Sequence, residues 1–193
     1  MRKHIYSLPN ILTYVRIICV PLVVSCFFIE GPLKTSDLLR WTALFFFSVA
    51  SVTDFFDGYL ARIWKQTTPI GRMLDPIADK LLVSSCLLLL CADRTIYGWS
   101  SWAALIILCR EILVSGLREY LAELKVIVPV SRLAKWKTFA QMVAIGFLLA
   151  GPAGEKVIPG TVIIGIILLW ISAILTLVTG WHYYRHGMQH IFS

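Results

Sequence analysis

Four aspartates define the chemistry open to this chain. The stretch from Thr53 to Asp79 reads TDFFDGYLARIWKQTTPIGRMLDPIAD and holds Asp54, Asp57, Asp75 and Asp79. The first pair is spaced i,i+3 and the second i,i+4, so on helices each pair projects from one face. Thr67-Thr68-Pro69 and Gly71 lie between the pairs and favour a turn. A helical hairpin folded there would bring the two acidic faces together. Carboxylates converging at membrane depth repel one another and are costly to desolvate unless cations join them. Oxygen-only ligands suit hard divalent cations such as Mg2+, Mn2+ or Ca2+ rather than zinc. The residues alone therefore point to a metal site.

Gly58 follows Asp57, and Ala61 continues the acidic face at helical spacing. Small residues beside the acids leave room for something bulky to approach the backbone. Taken alone, Gly58 and Ala61 fit a helix–helix contact better. Arg62 and the four acids turn the reading toward a site, because packing needs no charges and an arginine there suits a phosphate.

The elements that must position these groups are apolar helices. The 193 residues are 58% hydrophobic with a mean hydropathy of +0.77, which fits a small polytopic membrane protein. Helices are expected at about residues 10–29, 37–64, 75–91, 99–123, 132–150 and 160–184, after a short interfacial N-terminal segment. Pro76 is expected in the first turn of the third helix, where proline is tolerated. Ser25-Cys26-Phe27-Phe28 lacks a small-x-small cleavage pattern, so the first apolar run is expected to be a retained helix. The five cysteines all lie in apolar runs, away from ligand or C-x-x-C spacing, and read as small hydrophobes. The chain shows no internal repeat or linker and is expected to be one domain, 1–193.

Charge placement orients the bundle. With the N-terminus in the cytoplasm, the inner side holds Arg2, Lys3, Arg62, Lys65, Arg72, Arg118, Lys125, Arg132, Lys135, Lys137 and Arg185. The outer side holds only Lys34, Arg40, Arg94 and Lys156, and both termini are then cytoplasmic by the positive-inside rule. Arg16, Lys80 and Arg110 stand nearer membrane depth, and Arg16 either snorkels or faces the site. All tryptophans but Trp170 fall near helix ends, as an aromatic belt requires. The net charge of +7 reads as orientation and attraction to anionic headgroups or substrates, not as a nucleic-acid surface. His182, His186 and His190 share a face beside Trp181, Tyr183 and Tyr184 and read as an interfacial helix end rather than a metal site.

The spacing Asp54-x2-Asp57-Gly58-x2-Ala61-Arg62-x8-Gly71-x3-Asp75-x3-Asp79 resembles, without departure, the signature of the CDP-alcohol phosphatidyltransferases. Three further segments resemble the branch of that family that uses sn-glycerol 3-phosphate as acceptor. They are Leu8-Pro9-Asn10-Ile11-Leu12-Thr13-x2-Arg16, Arg110-Glu111-Ile112-x-Val114-Ser115-Gly116-Leu117-Arg118-Glu119, and Lys135-x-Lys137-Thr138-x2-Gln141-Met142. The resemblance implies a bacterial inner-membrane enzyme, homodimeric, with its site facing the cytoplasm and CDP-diacylglycerol as donor. It implies two divalent ions, Mg2+ or Mn2+, among Asp54, Asp57, Asp75 and Asp79, with Asp79 also the general base. It further implies a cytidine diphosphate site at Asp54, Gly58, Ala61, Arg62, Thr67, Gly71 and Asp75, Thr67 lying outside the signature.

Arg110, Arg118, Arg132, Lys135 and Lys137 cluster toward the cytoplasmic ends of the fourth and fifth helices and suit a phosphate dianion. Each basic residue of the fifth helix reads equally as a headgroup contact, and Arg110 also as a structural ion pair with Glu111 or Glu119. Thr138 and Gln141 are polar within the fifth helix and suit either substrate or interhelical hydrogen bonds. The alternatives are the same chemistry on phosphatidylglycerol, inositol phosphate, serine or choline, or an ion-coupled transporter using the acids. A transporter would need neither Gly58, Ala61, Arg62 and Gly71 at these spacings nor an unrepeated chain.

Overall fold

A computed structural model describes the backbone of residues 8–31, 33, 35–64, 69–123 and 132–191, and the side chains of those residues other than 8–10, 55–64, 69–70, 72, 132 and 186–191. The described residues form six helices: α1 (Leu8–Cys26), α2 (Asp37–Trp64), α3 (Pro69–Ala92), α4 (Ser100–Glu123), α5 (Arg132–Glu155) and α6 (Thr161–Ile191). No strand occurs among them.

α2 and α4 match the expected bounds to within a residue and the other four helices differ, α5 running past residue 150 to Glu155 across a kink at Gly151. α1 stops short of residue 29 because Phe27–Glu30 turns back, with the Leu33 amide donating to the Phe27 carbonyl at 3.0 Å. Leu33 holds a left-handed φ of 58° in that turn. α3 is already helical from Pro69 rather than from near Asp75, and a proline is tolerated in a first helical turn. Pro76 then lies inside the helix, not in its first turn as expected. Lying between Asp75 and Asp79, it leaves the carbonyl of residue 72 without its usual helical donor. α6 runs past Arg185 to Ile191.

The bundle is built by close approach. α5 lies along α6, α1 packs on α2 and α3, α4 on α6, and α2 on α5. Leu82, Leu87, Leu90, Ile107, Leu148 and Leu169 fill the centre, and Ala43, Ala50, Ala103, Ala104, Ala144 and Ala173 are buried where backbones come near. In lipid, tails solvate apolar side chains as well as protein does, so small residues and interhelical hydrogen bonds carry association. Gly165 illustrates this, since a methyl group there would stand 2.8 Å from Leu148 Cγ.

The outer surface is apolar. Ile112, Leu113, Phe139, Ile163, Ile167 and Ile174 all point outward, as do Trp41, Trp99, Trp102, Trp136 and Trp181. Ser100–Glu123 and Thr161–Arg185 are long and apolar enough to cross a membrane, and Ile11–Cys26 is a shorter apolar helix. The five cysteines are free.

One end of the bundle is tied by a buried arginine. Arg40 pairs with Asp93, donates to Thr95 Oγ1 at 3.4 Å, and sits 5.7 Å from the centre of the Phe27 ring. Thr95 Oγ1 in turn donates to Asp93 at 2.6 Å. α5 breaks beside this cluster at Gly151, with φ 45° and ψ −129°. A methyl group on Gly151 would stand 2.6 Å from an Arg40 nitrogen, so the position needs glycine for conformation and for space.

Candidate active site

The described acids of the signature gather where α1, α2 and α3 meet, away from the Arg40 end. Asp54 comes from the second half of α2, where Asp57, Gly58, Ala61 and Arg62 follow in the same helix. The side chains of those four, and the whole of Thr67, lie outside the described residues. Asp75 and Asp79 come one turn apart from α3, with Gly71 buried a turn before them. The charge of Asp75 acts on Asp54, and that of Asp54 acts on Asp79, so the three carboxylates share one electrostatic neighbourhood. Of the two acidic faces, Asp54 of α2 is thus set near Asp75 and Asp79 of α3, the Asp57 side chain lying outside the described residues.

α1 supplies the groups that hold them. Arg16, fully buried, pairs through Nη1 with Asp54 Oδ1 at 2.7 Å. Thr13 Oγ1 donates to Asp75 Oδ1 at 2.5 Å. Thr13 and Arg16 are spaced i,i+3 and so leave α1 on one face, which is turned to the acids. Of the two readings open for Arg16 from sequence, the structure takes the one that faces the site.

Asp79 lines a small open cleft between α3, α4 and α5. Lys80, Glu111, Lys137, Thr138 and Gln141 also line it. Lys137 pairs with Glu111, and Lys80 donates to Ser115 Oγ. The charges of Glu111, Arg16 and Lys137 all act on Asp79. A carboxylate beside a buried ammonium can take a proton while the cation holds an anionic group.

The five basic residues proposed for the acceptor separate. Lys137 is buried and enters the cleft, whereas Lys135, about 200° away around α5, is exposed. Arg110 reaches Glu111 at 3.4 Å but turns most of its guanidinium onto α6, donating to the Thr176 carbonyl at 3.1 Å and to Thr179 Oγ1 at 2.9 Å. Gly180 makes room for it, since a methyl group there would meet Arg110 Cγ at 3.1 Å. Arg118 is exposed, 6.0 Å from the centre of the Tyr183 ring. The Arg132 side chain lies outside the described residues.

Asp54, Asp75 and Asp79 offer oxygen donors alone, a donor set that fits hard divalent cations. Among the described residues, no three acidic, imidazole or thiol groups already stand at ligating spacing, Asp57 being outside that set. The sequence reading named Thr13 only within the N-terminal segment and Lys80 only as a charge near membrane depth, and gave neither a role beside the acids. The signal for Lys80 was its place beside Asp79 in an apolar helix, and for Thr13 its spacing to Arg16.

The comparisons with known proteins agree in direction. The model of the CDP-alcohol phosphatidyltransferase family matches residues 6–178. A CDP-diacylglycerol–glycerol-3-phosphate 3-phosphatidyltransferase of Rickettsia bellii is 46% identical over 179 residues, covering 93% of this chain and 94% of the relative. Proteins of the same name from Haemophilus influenzae and Cereibacter sphaeroides are 43% and 38% identical. The first alignment covers 89% of this chain and 88% of the relative, the second 96% and 97%. With the family match running through most of its length and close relatives covering nearly all of it, the chain belongs to the CDP-alcohol phosphatidyltransferase family.

Proposed function

We propose that this chain transfers the phosphatidyl group of CDP-diacylglycerol to sn-glycerol 3-phosphate, giving phosphatidylglycerophosphate and CMP. The observation that carries the reading is the cleft in which Asp79 and Lys137 face one space from α3 and α5. The names of the relatives, alike from three bacterial genera, support the acceptor.

In this reaction the acceptor's 1-hydroxyl oxygen bonds to the β-phosphorus, the bond from that phosphorus to the bridging oxygen breaks, and CMP leaves with that oxygen. Asp79 takes the hydroxyl proton. Lys137 binds the acceptor phosphate; Glu111 orients the ammonium, which has donors to spare. Arg110, through Glu111, Arg118, Arg132 and Lys135 would add positive potential around the entrance. Gly58, Ala61 and Gly71 admit the cytidine diphosphate, and Arg62 and Thr67 contact it. Asp54, Asp57, Asp75 and Asp79 would hold two divalent cations, Mg2+ or Mn2+. Bound there, the cations neutralise the diphosphate and stabilise charge on the attacking and leaving oxygens.

The chain would sit as a single six-span domain in the bacterial inner membrane, both termini and the site on the cytoplasmic side, and act as a homodimer. The apolar outer faces and the basic bias of the inner loops support this placement.

The test uses purified protein in detergent with CDP-diacylglycerol and Mg2+. CMP release is followed with glycerol 3-phosphate, inositol phosphate, phosphatidylglycerol, serine or no acceptor, alongside Asp79→Asn. Release with glycerol 3-phosphate alone, lost in the variant, is the expected result. Release with a different acceptor would overturn the assignment of the cleft, and none with any acceptor from folded protein would overturn the chemistry.

A further inference from the structure

We infer that Gln141 reads the free hydroxyl of a phosphorylated polyol and so decides which acceptors the cleft takes, an inference that rests on the acceptor reading above. Gln141 is only 3% exposed, and its Oε1 has no hydrogen-bond partner among the described residues. Buried polar atoms are almost always paired, so an orphan lining a cleft marks a place where a ligand completes the bonding. Lys80 turns to Ser115 and Lys137 to Glu111, and neither ammonium bonds Gln141 Oε1. Gln141 shares the cleft with both lysines and with Asp79.

The kind of atom it needs is restricted. An amide oxygen only accepts, so its partner must be a donor. A phosphate dianion brings no donor, and neither does a carboxylate. The phosphate end of an acceptor is therefore matched to Lys137, and the remaining donor is a hydroxyl. Gln141 follows Lys137 by four residues on α5, on the same face and about 6 Å further along the axis. An acceptor with its phosphate on Lys137 and its reacting hydroxyl at Asp79 would carry a third, internal hydroxyl between them. In a three-carbon polyol phosphate this is the middle hydroxyl. A site built to bond a hydroxyl rejects an analogue that lacks it, because the buried partner is then left unpaired.

The experiment compares kcat/KM for sn-glycerol 3-phosphate and for 3-hydroxypropyl phosphate, which lacks only the middle hydroxyl. Wild type, Gln141→Leu and Gln141→Met are each assayed with both acceptors, so that any loss of folded enzyme cancels within a preparation. Wild type is expected to favour glycerol 3-phosphate by about tenfold or more. Both variants should bring that ratio close to one, chiefly by lowering the value for glycerol 3-phosphate. Variants that keep the wild-type ratio, or a wild type that does not distinguish the two acceptors, would overturn the inference while leaving the acceptor reading intact. A wild type that uses neither, yet releases CMP with an unphosphorylated acceptor, would overturn both.

Discussion

Thr13 and Asp75, separated by 62 residues, are joined by a hydrogen bond of 2.5 Å from the threonine hydroxyl to the carboxylate. Three residues further along α1, Arg16 reaches Asp54 at 2.7 Å. The first helix therefore holds one carboxylate from each half of the acidic signature. Both Thr13 and Arg16 are buried in a largely apolar helix.

Thr13→Val keeps the shape of the side chain and removes the donor. Groups that orient a ligating carboxylate are worth about 10–100-fold in metal affinity. Thr13→Val should weaken Mn2+ binding by about that amount, read by electron paramagnetic resonance titration, while Thr13→Ser binds as wild type does. Equal binding by all three proteins would separate Thr13 from the metal site.

Arg16→Met removes the buried positive charge that pairs with Asp54 and acts on Asp79. The variant should melt lower than wild type in chelator, since the carboxylates then repel one another. Cations bound among the acids would replace the lost charge, and a ligand for the folded state raises its stability. The gain in Tm on adding Mg2+ should therefore be larger for Arg16→Met than for wild type. Equal gains would mean that Arg16 does not balance the site.

Lys135 and Lys137 separate a cleft residue from a surface residue on one helix. Lys137→Met should raise KM for glycerol 3-phosphate by about 10–100-fold, the loss of a charged hydrogen bond of roughly 1.5–3 kcal/mol. Lys135→Met should leave KM within about twofold, because exposed charge contacts are worth little. Steady-state kinetics at saturating donor decide this, and equal effects at the two positions would remove the special role of Lys137.

Gly151→Ala tests the remote lock. The substitution meets both a positive φ and the Arg40 guanidinium, and should cost about 1–3 kcal/mol of stability. Thermal melting in detergent should show a lower Tm, with CMP release per folded protein unchanged at a temperature where both proteins are folded. A melt like that of wild type would mean that Arg40 repacks without cost.

The sequence by itself determined the number and order of the helices, the acidic signature and the family. These are local properties, written in the period of 3.6 residues, in apolar runs and in fixed spacings. The spacings i,i+3 and i,i+4 are enough to say that each acidic pair shares a face, and Asp54, Asp75 and Asp79 do come together. The run of α2 to residue 64 was legible, but the helical stretch of α3 ahead of Asp75 was not. Thr67-Thr68-Pro69 and Gly71 have the composition of a turn, yet proline also opens a helix.

Tertiary structure alone decided which polar side chains the acids meet. In water, hydropathy separates the inside of a helix from the outside, but in a bilayer both faces are apolar and the pattern carries no such contrast. Hence the sequence left Arg16 with two readings, and packing of α1 against α2 and α3 chose between them. Hence also five basic residues on two helices read as one cluster until α5 turned Lys137 into the cleft and Lys135 out of it. Arg110 was drawn instead to a carbonyl and a hydroxyl of α6, 66 and 69 residues away. At such separations only the assembled bundle brings donor and acceptor within bonding distance.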